Sequence, residues 1–79
     1  MRTLDGLPLG SLARVTAVLG EGDVPLRLLE MGFLPDVEVS VVRRAPLGDP
    51  LEVEVLGYRL VLRCSEARQV QVRLDSEAT

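Results

Sequence analysis

Residues 51–64, LEVEVLGYRLVLRC, decide the fold of this chain. On both sides of Gly57 and Tyr58, apolar residues alternate with mainly charged ones, and a period of two is typical of strands with one buried face. A glycine in the first position of a two-residue loop predicts a type II′ turn. The stretch is therefore predicted to form an antiparallel hairpin in which Val55 lies opposite Leu60.

The predicted hairpin places two further pairs near its open end. Leu51 and Cys64 would face each other on the buried side, because opposed residues of an antiparallel ladder share a face. Glu52 and Arg63 would face each other on the outer side, as an opposite-charge pair worth about 0.2–1 kcal/mol. A thiol in that position is expected to be buried and inert, rather than a metal ligand or a redox group.

Three other runs with a period of two extend the predicted sheet, and they cover residues 12–19, 37–42 and 70–74. Ser65 is expected to cap a single helical turn before the last run. The pattern predicts a mainly β domain, a small SH3-like barrel of about five antiparallel strands with one short α-helix after the first strand. An OB-fold, whose strands are usually longer, is the alternative.

The one short helix is predicted from Val24 to Met31. Asp23 offers an N-cap oxygen, and Gly32 stands where a residue with a left-handed backbone ends a helix. Apolar residues at the spacing i, i+4 and i+7 would face the sheet, and these are Val24, Leu28 and Met31. Two turns of helix are not stable alone, so this helix must pack on the sheet.

The length and composition exclude most enzymes. A chain of 79 residues leaves little room for an enclosed active site. Histidine is absent and cysteine occurs once, whereas general acid–base catalysis relies most often on histidine and zinc sites use several of both residues. We therefore expect no enzymatic activity and no cofactor, and we assign no metal ligand.

The same sequence predicts one domain over residues 1–79, with a core from about 4 to 74 and a frayed polar tail over 75–79. It has no secretory leader and no apolar run of the ~18–20 residues that cross a bilayer, so we expect a cytoplasmic protein without direct membrane insertion. A net charge of −3, with one tyrosine and one phenylalanine, disfavours nucleic acid as a partner, because such binding needs positive charge and aromatic platforms.

Two carboxylates on the outer face of the predicted hairpin leave a second interpretation open. Glu52 and Glu54 lie on the same face of one strand, and hard divalent cations bind such oxygens. The ordinary interpretation is a solvated strand face on which Arg63 neutralises Glu52. A metal-responsive domain that uses these carboxylates is therefore the alternative to a protein that acts by contact.

The remaining candidates for function are polar and apolar side chains that the predicted fold does not need. Some lie on the outer side of the helix, and the others lie on the proline-bounded loop over residues 45–50. A small domain without catalytic groups is expected to act through such a surface. The predicted partner-binding residues are Leu26, Arg27, Leu29, Glu30, Leu47 and Asp49. An unpaired strand edge also leaves weak self-association open.

Three motifs give the chain a resemblance to a known family. They are LLEMGFLP at residues 28–35, RRAPLGDPLEV at 43–53 and GYRL at 57–60. In this combination, the sequence resembles the ferrous iron transport protein A family, FeoA, from about Leu4 to Leu74. The resemblance implies an SH3-like barrel, in agreement with the strand pattern.

The resemblance also implies a function. Members of the family are small cytosolic proteins that accompany ferrous iron transport protein B, a membrane permease with a cytoplasmic GTPase domain. The chain is therefore expected to dock on that cytoplasmic part, to be recruited by it to the inner face of the membrane, and to modulate iron transport or GTP turnover. Similar domains form the C-terminal part of iron-dependent repressors of the diphtheria-toxin-repressor type. For the alternative of a metal-responsive domain, this resemblance implies that the ligand is a divalent transition metal such as ferrous iron.

Overall fold

The computed structural model describes residues 2–75, which form one antiparallel sheet of six strands. In chain order the strands are β1 (Arg2–Thr3), β2 (Leu12–Val18), β3 (Glu38–Arg44), β4 (Leu51–Val55), β5 (Tyr58–Leu62) and β6 (Val70–Leu74). Their spatial order is β1–β6–β2–β3–β4–β5. A 3₁₀ turn (Leu4–Gly6) follows β1, α1 (Asp23–Glu30) follows β2, and α2 (Cys64–Ala67) follows β5. The predicted mainly β class is confirmed, and β1 is an additional strand.

The β4–β5 hairpin turns one residue earlier than predicted. Its loop is Leu56 and Gly57, with φ of 53° and 83°, and positive φ at both central residues is the mark of a type I′ turn. Val55 therefore lies opposite Tyr58, and the predicted pairing with Leu60 is wrong. Because the partner changes by two residues, the same side chains still face the core. The sequence pattern did not predict this turn, because a leucine rarely adopts positive φ.

The observed register changes the surroundings of two other residues. Arg59, and not Arg63, is the ionic partner of Glu52, with 3.3 Å between Arg59 Nη1 and Glu52 Oε2. Cys64 lies beyond β5 as the first residue of α2, so it does not face Leu51 across the hairpin. Its side chain is half-buried and packs against the edge of the core.

Both predicted N-caps are wrong. Gly22, with φ of 90°, precedes α1, and Asp23 is the first helical residue. Glycine adopts such a backbone without steric cost, and the Asp23 carboxylate still favours the helix because it lies at the positive end of the helix dipole. Arg63 precedes α2 in place of Ser65, and its N–H donates to Glu66 Oε1 at 2.9 Å.

Gly32, two residues after the last residue of α1, has the predicted left-handed backbone, with φ of 110°. The Gly32 N–H donates to Leu29 O at 3.1 Å, and the Phe33 N–H donates to Leu28 O at 3.1 Å. Together these bonds form a Schellman motif, which satisfies carbonyls that a helix end leaves unpaired. Phe33 and Leu28 are both buried in one core cluster, so the motif returns the chain directly to the core.

The tip of the β4–β5 hairpin covers this helix end. The Tyr58 hydroxyl donates to Met31 O at 2.7 Å. A Cβ atom on Gly32 would lie 2.5 Å from Leu56 Cδ1, so Leu56 packs directly on the glycine. The residues at the type I′ turn thus pack the hairpin against the C-terminal end of α1.

The segment before β2 contributes to the core in a way that the alternating pattern did not predict. Leu4 and Leu7 are 0% and 1% exposed, and with Phe33 they are among the largest fully buried side chains. Arg44 Nη2 donates to Leu7 O at 3.3 Å, which fixes the segment to the end of β3. Residues 4–7 are therefore part of the domain core.

Within residues 2–75, none of the helices has the length and apolar composition that a bilayer crossing requires. Of the predicted frayed tail, residues 76–79 lie outside the described part of the chain. The Oδ1 atom of Asp75 lies 3.5 Å from Arg14 Nε.

Replacing Phe33 by alanine is expected to lower the free energy of unfolding by about 3–5 kcal/mol, because it empties a fully buried site. Leu34→Ala is the matched control, since Leu34 is the next residue and is 47% exposed. Its effect should stay within about 0.5 kcal/mol. Urea unfolding followed by circular dichroism measures both variants, and equal losses would contradict the place of Phe33 in the core.

Candidate functional site

The predicted partner-binding residues of α1 lie on its exposed side. Leu26 is 59% exposed and Leu29 is 37% exposed, whereas Leu28 is 1% exposed and faces the sheet. Arg27 and Glu30 are also exposed. The helix thus presents two leucines to the surface with a charged residue beside each.

The loop over residues 45–50 presents a third leucine. The Gly48 N–H donates to Ala45 O at 2.7 Å, which closes a β-turn with Pro46 and Leu47 at its centre. Proline at the second position and glycine at the fourth are typical of a type I turn. The Ala45 N–H donates to Pro50 O at 3.1 Å and closes the base of the loop. Leu47 is consequently 97% exposed at the tip.

The base of this loop is held by α2. The Cys64 N–H, one of the amides that a helix start leaves unpaired, donates to Asp49 Oδ1 at 3.0 Å. The Cys64 thiol donates to Gly48 O at 3.1 Å. Asp49, predicted as a partner contact, therefore also has a structural role, because its carboxylate anchors the loop to the helix.

The other side of α2 is joined to α1. Arg27 Nη2 lies 3.2 Å from Glu66 Oε2, and the other oxygen of the same carboxylate accepts the Arg63 N–H. The helix and loop parts of the predicted surface are thus connected through α2. We call these residues together the α1–loop surface: Leu26, Arg27, Leu29, Glu30, Leu47 and Asp49.

A shallow groove lies where β3 begins and β4 ends, opposite the loop over residues 45–50. The sequence pattern did not identify it. Its volume is about 250 Å³, and its walls include Leu12 and Leu56, with Glu38 and Glu54 among the lining residues. Leu12 is 51% exposed and Leu56 is 57% exposed. One feature of the sequence could have indicated this groove. Leu56 stands directly before the turn glycine Gly57, and a side chain in that position projects from the end of the hairpin.

The carboxylates considered for a metal do not fit a cation site. Arg59 lies between them, with Nη1 at 3.3 Å from Glu52 Oε2 and Nε at 3.8 Å from Glu54 Oε2. The guanidinium already neutralises the oxygens that a divalent cation would need. Among residues 2–75, no three His, Cys, Asp or Glu side chains are grouped so that they could hold a metal ion.

The family model for the FeoA domain matches residues 2–74, which include every strand of the sheet and both α-helices. The chain belongs to the FeoA domain family. The resemblance predicted from the three sequence motifs is therefore confirmed, and the α1–loop surface belongs to a FeoA domain.

A curated relative of this FeoA domain carries a transporter in the same chain. It is the Fe(2+) transport protein A/Fe(2+) transporter FeoB fusion protein of Porphyromonas gingivalis (strain ATCC BAA-308 / W83), 37% identical over 73 residues. The match covers 92% of this chain and 9% of the fusion protein, so the chain corresponds to a small part of that relative.

Solved structures confirm the fold. Stenotrophomonas maltophilia FeoA, solved as a complex with zinc and described as a prokaryotic SH3 domain protein, is 42% identical with a TM-score of 0.83, over 92% of this chain and 91% of that one. This likeness favours the SH3-like architecture over the OB-fold alternative. A manganese-dependent transcriptional repressor with manganese is 17% identical with a TM-score of 0.83, over 92% of this chain and 36% of that one, and it shares the fold alone.

Asp49→Ala is expected to destabilise the FeoA domain by about 0.5–2 kcal/mol, the usual effect of removing a side chain that caps a helix start. The Cys64 amide then loses its acceptor. Asp49→Asn is the matched control, since its amide oxygen can still accept that bond and most of the stability should remain. Thermal unfolding measures both, and equal stability of the alanine variant and the wild type would contradict the anchoring role.

Proposed function

We propose that this FeoA domain is an accessory module of ferrous iron uptake that acts by contact and not by catalysis. Its partner is the cytoplasmic, GTPase-containing part of the ferrous iron permease, FeoB. The module docks there through the α1–loop surface and modulates transport or GTP turnover. It works at the cytoplasmic face of the membrane, to which the permease recruits it.

The fusion protein of P. gingivalis supports the choice of partner. In that relative, a matching domain and a Fe(2+) transporter share one polypeptide. A covalent link holds two modules at a high effective concentration, which benefits proteins that bind each other weakly. In the protein described here, the corresponding contact would be made by the surface of the FeoA domain.

The exposure of Leu47 is the observation that carries the proposed mode of contact. A leucine that is 97% exposed contributes nothing to the core, and its burial by a partner would be worth about 1.5–3 kcal/mol. The loop is already ordered by its β-turn and by its bonds to Cys64. An ordered loop loses less conformational entropy on binding than a flexible one.

The helix supplies the second part of the proposed contact. Leu26 and Leu29 would join Leu47 as apolar contacts, while Arg27 and Glu30 would lie at the rim. An apolar centre with a polar rim is the common arrangement of protein interfaces. The ion pair of Arg27 with Glu66 holds this part beside α2, to which the loop is also attached.

The metal-responsive alternative has weaker support. The relative from S. maltophilia was solved with zinc, but Glu52 and Glu54 of this chain surround Arg59 and do not form a cation site. The manganese-dependent repressor shares the fold only. We therefore base no mechanism on a metal bound to these carboxylates.

Leu47→Arg is expected to abolish docking while leaving the domain folded, because it places a charge where an apolar contact is proposed and disturbs no buried group. Titration calorimetry of the purified cytoplasmic part of the permease, with and without a GTP analogue, measures the binding. Leu12→Arg is the matched control, since Leu12 is 51% exposed and lies on β2, outside the α1–loop surface.

Three outcomes would count against this proposal. Wild-type protein that does not bind the permease part in either nucleotide state would contradict the partner. Equal binding by the wild type and the Leu47 variant would contradict the surface. A melting temperature several degrees lower for Leu47→Arg would indicate that the loop tip has a structural role.

A further inference from the structure

β5 forms one edge of the sheet. It pairs with β4, and it is the last strand in the spatial order. The opposite edge is β1, which has only two residues, whereas β5 has five. An exposed strand of this length is a template for pairing with another extended chain.

The hairpin register determines which backbone groups of β5 point outward. Val55 and Tyr58 flank the two-residue loop and form its first hydrogen-bonded pair. Bonded and non-bonded pairs alternate along an antiparallel ladder, so Leu60 is also bonded to β4. The N–H and C=O groups of Arg59 and Val61 therefore point away from β4, toward the open edge of the sheet.

The edge has one charged residue, Arg59, but lacks the other sequence features that usually block strand pairing. β5 contains no proline and no lysine, and its pairing with β4 runs without a bulge. Val61, a residue type that favours strands, is 63% exposed at its centre. The outward backbone groups are thus accessible to a second strand.

We propose that β5 pairs antiparallel with β5 of a second copy of this chain, around a two-fold axis at Leu60. Each Arg59 would exchange both backbone hydrogen bonds with Val61 of the other copy. The two sheets would then continue into each other across the axis. This pairing is independent of the proposed docking on the permease, because it uses neither α1 nor Leu47.

The charge of Arg59 favours the register with the axis at Leu60 over the other two possible registers. The outward groups also permit an axis at Arg59 or at Val61, but those would place Arg59 opposite its own copy or opposite Arg63. Like charges directly opposite each other destabilise a sheet. An axis at Leu60 places Arg59 opposite the apolar Val61.

Local charge balance also favours a second copy as the occupant. The chain has a net charge of −3, which would keep copies apart. The β4–β5 hairpin, however, carries two carboxylates and two guanidinium groups over residues 51–63, and Arg59 lies beside Glu52 and Glu54. The edge of one copy therefore meets the edge of the other without net repulsion.

The short opposite edge limits the assembly to a pair. If β5 paired with β1 of another copy, the contact would be heterologous and would extend into a filament. β1 has only two residues, which give too few hydrogen bonds for such pairing. In the isologous pair, β5 of each copy is paired with β5 of the other, so the five-residue edge of neither copy remains open.

Sedimentation equilibrium of the full chain between ~10 μM and ~1 mM tests the pairing, a range that covers weak dimers. The apparent mass should rise from 8.6 kDa toward twice that value with concentration. Val61→Pro should abolish the rise, because proline lacks the outward N–H but removes no bond to β4. Val61→Thr, which has the same shape and keeps that N–H, should dimerise like the wild type.

Amide hydrogen exchange of the wild type gives a second reading that requires no variant. Exchange at Arg59 and Val61 should slow as concentration rises, because both amides become bonded across the axis. A mass that stays at 8.6 kDa up to ~1 mM would overturn the proposal. A dimer that persists in Val61→Pro, or one whose newly protected amides lie outside β5, would overturn it as well.

Discussion

The type I′ turn at Leu56 and Gly57 is the constraint on which the other features depend. Positive φ at both residues sets the register of β5 on β4. That register places the Tyr58 hydroxyl on the end of α1 and the Arg59 guanidinium between two carboxylates. It also ends β5 early enough for Cys64 to begin α2, where its amide and thiol hold the exposed loop. A local backbone conformation thus organises the surface around Leu47.

Periodicity was sufficient to predict most of the strands, the short helix and its end at Gly32, because alternation and a glycine after a helix have direct physical causes. The turn could not be predicted in this way. A leucine at positive φ contradicts local preference, and it is accepted here because Leu56 packs on Gly32. The buried position of Leu4 likewise depends on contacts distant in sequence, which no local pattern reveals.

The candidate site was predicted in part. Exposure of Leu26 and Leu47 followed from helix geometry and from the prolines of the loop, and both are exposed in the structure. The anchoring role of Asp49 could not be foreseen, since it depends on α2 beginning at Cys64. Geometry alone identifies no partner, and the partner proposed above is based on membership of the FeoA family and on the fused transporter of one relative.

The hairpin register is measured most directly by nuclear Overhauser effects between α-protons of opposed residues. In a non-hydrogen-bonded antiparallel pair the two α-carbons lie about 4.5 Å apart, so the α-protons give a strong signal. The type I′ turn predicts such signals between Glu54 and Arg59 and between Glu52 and Val61. A strong signal between Val55 and Leu60 instead would show a type II′ register, and it would contradict the placement of Cys64, α2 and the outward groups of β5.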